Sequence, residues 1–313
     1  MKILITGGAG FIGHNLARHA LQAGHEVRVI DDLSTGYRDN LDGLDVDFRE
    51  ASLLDESAVA SAVSGIDSIV HLGALGSVPR SIKDPLASHH ANATGTLTLL
   101  NEARKADTTH VMCSSSSSVY GMNPALPKGE REWVRPMSPY AVSKLATEQY
   151  TLAFQQSYGF DTLAFRFFNV YGPGQRAGHV YAAVIPTWID AILKGEPVWI
   201  NGDGSNSRDF TYVDTVCSVL LDAAERRVSH PEPVNLAFGT NTSLNSLVKQ
   251  LRGLVGDNID IRHRDPRPGD VPHSQADNAT LRALFPNIKP VALEAGLRDT
   301  YGWLQTVSIG SRK

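Results

Sequence analysis

Short apolar runs alternate with longer amphipathic stretches along the first half of the chain. The runs are "KILIT" (2–6), "EVRVID" (26–31), "VDFRE" (46–50), "SIVHLG" (68–73), "HVMCSS" (110–115) and "TLAFRFFNV" (162–170). Between them lie "DESAVASAV", "TGTLTLLNEARKA" and "YAVSKLATEQYTLAFQQSYG", whose apolar positions recur at helical spacing. Strands in alternation with helices predict an α/β fold, a parallel sheet with crossover helices on both faces. Near-continuous apolar strands fit a sheet buried on both sides.

Past about residue 170 the rhythm breaks. "GPGQRAGH" reads as a glycine-rich loop, "AAVIPTWIDAILKG" as a helix with Pro186 early in it, and "PVWIN" and "SRDFTYV" as short strands. Asp214 is expected to cap the helix "TVCSVLLDAAERR". After the loop-rich "DPRPGDVPHSQAD", a last helix is expected near 292–306. The organisation expected is a main domain over 1–170, receiving a later segment near 210–237, and a smaller mixed α/β substrate lobe over 171–313. No repeat and no linker-like stretch divides them, so the two share one body.

Composition narrows the function classes. With 313 residues, 42% of them apolar, the chain can bury a sizeable core. Its net charge of −4 offers no basic field to nucleic acid or to an anionic membrane. Cys113 and Cys217 sit in apolar stretches and read as packed thiols of a reducing compartment. The chain opens directly on a strand, and no apolar run approaches the roughly 20 residues of a membrane span. A cytoplasmic protein is expected. None of the 11 histidines has metal-like spacing, and His71 reads as structural.

The first strand runs into "TGGAGFIGHNL". Gly7, Gly10 and Gly13 follow a strand and, with Phe11 and Ile12, open a helix. That context marks a Rossmann-type doubly wound sheet whose tight turn and helix N-terminus hold a pyrophosphate. Asp31 ends the second strand, 18 positions after Gly13. A carboxylate there accepts hydrogen bonds from a ribose 2′-hydroxyl and repels a 2′-phosphate, favouring NAD over NADP. Asp32 follows as either a second cofactor contact or a turn cap.

"SPYAVSK" places Tyr140 and Lys144 four residues apart on one helix face. A cationic lysine beside a tyrosine is expected to lower the phenol pKa, so that Tyr140 serves as a general base. Alone, the Tyr–Lys spacing is unremarkable. Joined to the glycine turn and to the hydroxyl-rich "CSSSSSVYG", 24 residues upstream at Ser116, it becomes specific.

These residues resemble the extended short-chain dehydrogenase/reductases, particularly nucleotide-sugar 4-epimerases of the UDP-glucose and UDP-N-acetylglucosamine type. The resemblance covers nearly the whole chain through "TGGAGFIG", "HLGALGSVPRS", "SSSSSVYG", "SPYAVSK", "RFFNVYGPGQR", "NGDGSNSRDFTYV" and "RPGDVPHSQAD". It implies that Ser116 is the catalytic hydroxyl beside Tyr140 and Lys144, and that Ser117 and Ser118 continue into the sugar pocket. It further implies substrate contacts from Ser77, Asn169, Arg208, Arg267 and Asp270, and a pocket-size position at Ser274. The implied cofactor is NAD, the substrate a UDP-sugar, and the assembly a homodimer. In the family's 4,6-dehydratases the positions of Ser117 and Ser118 carry Asp and Glu; the serines argue against dehydration. A nucleotide-sugar 4,6-dehydratase, a UDP-glucuronate 4-epimerase and a non-catalytic NAD-binding regulator are the other readings. Two departures stand out: Ser52 replaces an adenine-contacting aspartate, and Gly73 an alanine.

Overall fold

The apolar runs become strands at their predicted places. This computed structural model describes residues 1–177, 183–266 and 272–310. Seven parallel strands form one sheet: β1 (Lys2–Thr6), β2 (Glu26–Asp31), β3 (Val46–Glu50), β4 (Ser68–His71), β5 (His110–Ser116), β6 (Asp161–Phe167) and β7 (Val234–Leu236). Their order is β7-β6-β5-β4-β1-β2-β3. The chain winds outward from β1 in one direction, then returns to β4 and winds the other way. The crevice above the carboxyl ends of β1 and β4 is therefore the switch point at which such sheets bind ligands.

Alternation along each strand feeds two cores. Ile3 and Ile5 face one side with Val27, Val29 and Leu16, while Leu4 faces the other with Ile30, Val59 and Leu99. On the first face the helices Phe11–Gln22 and Val213–Glu225 pack together; on the second, Glu56–Val63 packs against Gly95–Lys105. The first core continues without a break to Trp188, Ile189, Leu247 and Leu304 of the later segments. At roughly 25 cal/mol per Å² of apolar surface removed from water, this continuity ties both halves into one folding unit.

Three local expectations are corrected. "TLAFRFFNV" is not one strand: Val170 N–H donates to the Phe168 carbonyl at 2.9 Å, a tight turn that carries the chain out of the sheet after Phe167. Asn169–Tyr171 pairs instead with Phe210–Tyr212. "SRDFTYV" is likewise split, because the buried Asp209 carboxylate accepts N–H bonds from Gly239, Thr240 and Ala276. Asp214 caps nothing. The N-cap is Tyr212, and the Asp214 carboxylate turns to the facing helix, meeting His19 at 3.1 Å and Arg18 at 3.7 Å.

The smaller sheets are a parallel pair, Val198–Asn201 with Ile261–Arg264, and a three-stranded unit in which Ser207–Arg208 lies between Thr242–Ser243 and His273–Ser274. The last helix spans Leu293–Gly310. Among the described residues no helix is long and apolar enough to cross a membrane, and no group of three or more His, Cys, Asp or Glu could hold a metal.

Candidate active site

The glycine turn is tight enough to need its glycines. Gly7 sits at φ +68°, and a Cβ there would lie 2.7 Å from Gly73 N. A Cβ on Gly13 would lie 2.3 Å from the Gly7 carbonyl oxygen. The helix that follows, Phe11–Gln22, has Gly10 at its N-cap, no side-chain cap bond and no acid in its first turn. Its unsatisfied N–H groups and positive dipole end remain available to a phosphate.

From this turn a cleft of about 960 Å³ runs along the carboxyl ends of the strands. Its wall passes from Gly7 and Gly10–Gly13 to Asp31–Tyr37 and Leu72–Ser77, and reaches Ser114–Ser116, Tyr140 and Lys144 at the other end. Asp31 is buried at the tip of β2. Its Oδ2 accepts from Ala9 N–H at 3.0 Å and its Oδ1 from Leu33 N–H at 2.8 Å. A carboxylate has about four acceptor sites, so each oxygen keeps capacity for a ribose hydroxyl. Burial raises the Asp31 pKa, opposed by those two N–H bonds. Asp32 also lines the cleft, and its carboxylate accepts from Ser34 N–H at 3.0 Å, as the turn-cap reading expects. The donor set, the carboxylate and the length of the cleft fit NAD.

At the far end, Ser116 closes β5, and Tyr140 lies in the first turn of the helix Pro139–Tyr158, which Ser138 caps. Ser116 and Tyr140 are neighbours on the cleft wall, close enough for the serine hydroxyl to favour the phenolate. Ser118 supports that arrangement from behind, donating its hydroxyl to Ser116 Oγ at 2.9 Å. Lys144 Nζ donates to Ser114 Oγ at 3.1 Å. The expected lowering of the phenol by Lys144 is not found. Burial raises the Tyr140 pKa, and the Ser116 hydroxyl is what opposes it. The ammonium donates to Ser114, and burial pulls Lys144 itself down to about 8.

The remaining residues of interest divide into two groups. Ser77 lies on the cleft wall at φ +111°, a conformation L-residues rarely hold, and caps the short helix Val78–Lys83. Ser117, Ser118, Asn169, Arg208 and Ser274 do not line the cleft. Asn169 stands between two wall residues, Phe168 and Val170, with its amide on the Asp209 carbonyl at 3.3 Å. Arg208 and Ser274 face each other on adjacent short strands, and Arg208 donates to the carbonyls of Ser207 and Pro272. Arg267 and Asp270 fall outside the described residues.

The wall also contains Tyr37, Arg80, His90 and Gln175, which sequence reasoning did not single out. Arg80 and Gln175 sit inside motifs that the resemblance used; Tyr37 and His90 carry no pattern. Ser52 is on the wall, its hydroxyl taken by Leu54 N–H at 3.2 Å. A Cβ on Gly73 would lie 2.9 Å from Leu53 Cδ1, so the glycine relieves local crowding. His71 is buried between the Thr6 and Thr96 hydroxyls at 2.7 and 2.9 Å, and burial lowers its pKa to about 3. It is a neutral, structural histidine. Both cysteines are buried and free, and burial pushes the Cys113 thiol up to about 12.

Known proteins are similar to this chain in sequence and fold. The NAD dependent epimerase/dehydratase family matches residues 3–237. A UDP-glucose 4-epimerase of Mycolicibacterium smegmatis is 34% identical over 98% of this chain and 100% of its own. Among solved structures, a UDP-N-acetylglucosamine 4-epimerase from Methanobrevibacter ruminantium, in complex with UDP-N-acetylmuramic acid, is 36% identical with a TM-score of 0.92, covering 98% of both chains. The UDP-glucose 4-epimerase of Thermotoga maritima, solved with UDP-glucose, is 34% identical with a TM-score of 0.91, covering 98% of this chain and 100% of its own. The match extends through the glycine turn, the serine strand end and the Tyr–Lys helix, and by it this chain belongs to the NAD dependent epimerase/dehydratase family.

Proposed function

We propose that this protein is an NAD-dependent UDP-sugar 4-epimerase that interconverts UDP-GlcNAc with UDP-GalNAc as well as UDP-Glc with UDP-Gal. The observation that carries the reading is the composition of the cleft wall. Ser116, Tyr140 and Lys144 meet at its end, and among the described residues its only carboxylates are Asp31 and Asp32 at the opposite end. The family name also covers dehydratases, but elimination of water needs an acid and a base beyond the Ser–Tyr pair. No carboxylate stands beside Tyr140 on this wall, so oxidation and re-reduction are what the site can perform.

NAD, when bound, supplies the hydride acceptor for C4 of the sugar and returns the hydride to it. Tyr140 takes the proton of the 4-hydroxyl, with the neighbouring Ser116 hydroxyl orienting it. After the 4-keto sugar has turned over in the pocket, Tyr140 gives the proton back on the other face. Asn169, Arg208, Arg267 and Asp270 hold the UDP portion in this reading, the arginines by bidentate contact with the pyrophosphate. Assay of a UDP-sugar panel tests the reading: a product of unchanged mass and inverted C4 is expected. Loss of 18 mass units, the mass of one water, would instead assign a dehydratase.

Asp31 sets the cofactor preference. Binding titrations should show NAD(H) favoured over NADP(H), because a 2′-phosphate would face a buried carboxylate. Equal affinities would remove Asp31 from that role.

Ser274 sets the sugar range. It is half-buried beside Arg208, and a serine there is several heavy atoms smaller than the tyrosine that excludes N-acetylated sugars in related bacterial enzymes. In this reading Ser117 and Ser118 are available to hydrogen-bond the acetamide. Ser274→Tyr is expected to suppress turnover of UDP-GlcNAc at least tenfold relative to UDP-Glc, the scale on which pocket shape discriminates. An unchanged ratio of the two substrates would clear Ser274 of the role.

The protein acts in the cytoplasm as a homodimer in this reading. Leu97, Val142 and Tyr150 remain exposed on the neighbouring helices Gly95–Lys105 and Pro139–Tyr158, an apolar surface suited to a second copy. Its mass in solution tests the assembly.

A further inference from the structure

The loop that follows Asn169–Tyr171 lies across two stretches of the cofactor cleft. At its start, Pro173 accepts from Asn15 Nδ2 at 2.9 Å, on the helix that opens at the glycine turn. Gly174, at φ +88°, lies flat against His14; a Cβ there would stand 2.1 Å from His14 Cε1. Gln175 then lines the cleft. Arg176 ends the crossing: its Nη2 donates to both Asp39 oxygens at 2.6 and 2.7 Å, and its guanidinium stacks 3.9 Å above the Tyr37 ring. Tyr37 is itself on the wall, and its N–H is tied to the Ala9 carbonyl of the glycine turn at 3.0 Å. Asn40 donates to that same carbonyl at 2.8 Å.

We propose that Arg176, Asp39 and Tyr37 form a latch that retains the dinucleotide in its cleft between turnovers. The proposal rests on the NAD reading above. An epimerase that oxidises and re-reduces the same carbon gains nothing from exchanging its cofactor, and loss of the reduced form would strand a 4-keto sugar. The glycine turn and Asp31 bind the dinucleotide from within the sheet. The latch joins the loop after β2 to the loop at 172–177, so the cleft opens only when that join parts. It is a partly exposed ion pair reinforced by a cation–π contact, strong enough to slow release and weak enough to allow loading.

The test measures release directly. Protein loaded with NADH is chased with excess NAD, and the decay of bound NADH fluorescence gives the dissociation rate. Arg176→Met and Asp39→Asn are each expected to speed release by roughly 5–10-fold, the combined scale of such contacts. The double variant is expected to be no faster than Arg176→Met alone, because that change already removes the ion pair that Asp39→Asn removes. Circular dichroism on the same samples confirms that each variant is folded. Unchanged release in both single variants overturns the latch, and so does an additive double variant, which would mean that the two side chains act separately. A wild-type protein that takes up no NADH overturns the cofactor reading itself, an outcome separate from failure of the latch.

Discussion

Tyr140→Phe is expected to lower turnover by roughly 10²–10⁴-fold, the contribution typical of a positioned general acid–base group. The substitution removes one oxygen and leaves the ring, so UDP-sugar binding should persist. Ser116 keeps the Ser118 hydroxyl, which donates to it at 2.9 Å. The pH profile carries a second signature. Burial holds the Tyr140 phenol above its ordinary value, so at neutral pH the base is mostly protonated. Wild-type kcat/KM should therefore rise with pH through the neutral range as phenolate forms, and that slope should vanish in the variant. Near-normal turnover in Tyr140→Phe, or an unchanged pH slope, would assign the proton transfer to another group.

Much of this site was legible because its chemistry rests on local spacing. The glycines, Asp31 and the Tyr–Lys pair each belong to one turn or one helix face, and period alone places them. The strands of the main sheet were legible for the same reason: β1 and β4 are buried along almost their whole length and carry adjacent apolar residues at their centres. What the sequence hid depends on contacts between distant segments. Asp214 looks like a helix cap, yet its carboxylate pairs with His19 and Arg18 on another helix. Phe168 looks like one more strand residue, and only a local turn shows that the chain leaves the sheet there. Tyr37 reaches the cleft because Ala9 anchors its backbone, a contact that no pattern in "STGYRDN" announces. The direction of the Tyr140 pKa was hidden too. Spacing puts Lys144 one turn away, but only the fold shows its ammonium held by Ser114.

Glu148→Leu is expected to destabilise the protein by about 3–5 kcal/mol, the cost of leaving a buried charge without its partner. Glu148 lies one turn beyond Lys144 on the catalytic helix. It is fully buried and pairs with Arg166 of β6, whose side chain is 4% exposed, through two bonds of 2.8 and 3.0 Å. The same carboxylate accepts from Ser115 Oγ at 2.7 Å, one residue before Ser116. Arg166 also donates to the Glu130 carbonyl and stacks 4.8 Å over Tyr120, whose hydroxyl donates to Asn235 of β7. Three strands and the catalytic helix thus meet at one ion pair. Because removing both charges leaves no orphan, the double variant Glu148→Leu with Arg166→Met should recover much of the loss. Arg166→Lys should not substitute well, since an ammonium cannot keep both bonds to the carboxylate and the contact with Tyr120. Urea unfolding measures all four proteins. Equal stability of the single and double variants would show that the loss comes from packing at Glu148 and not from the stranded guanidinium.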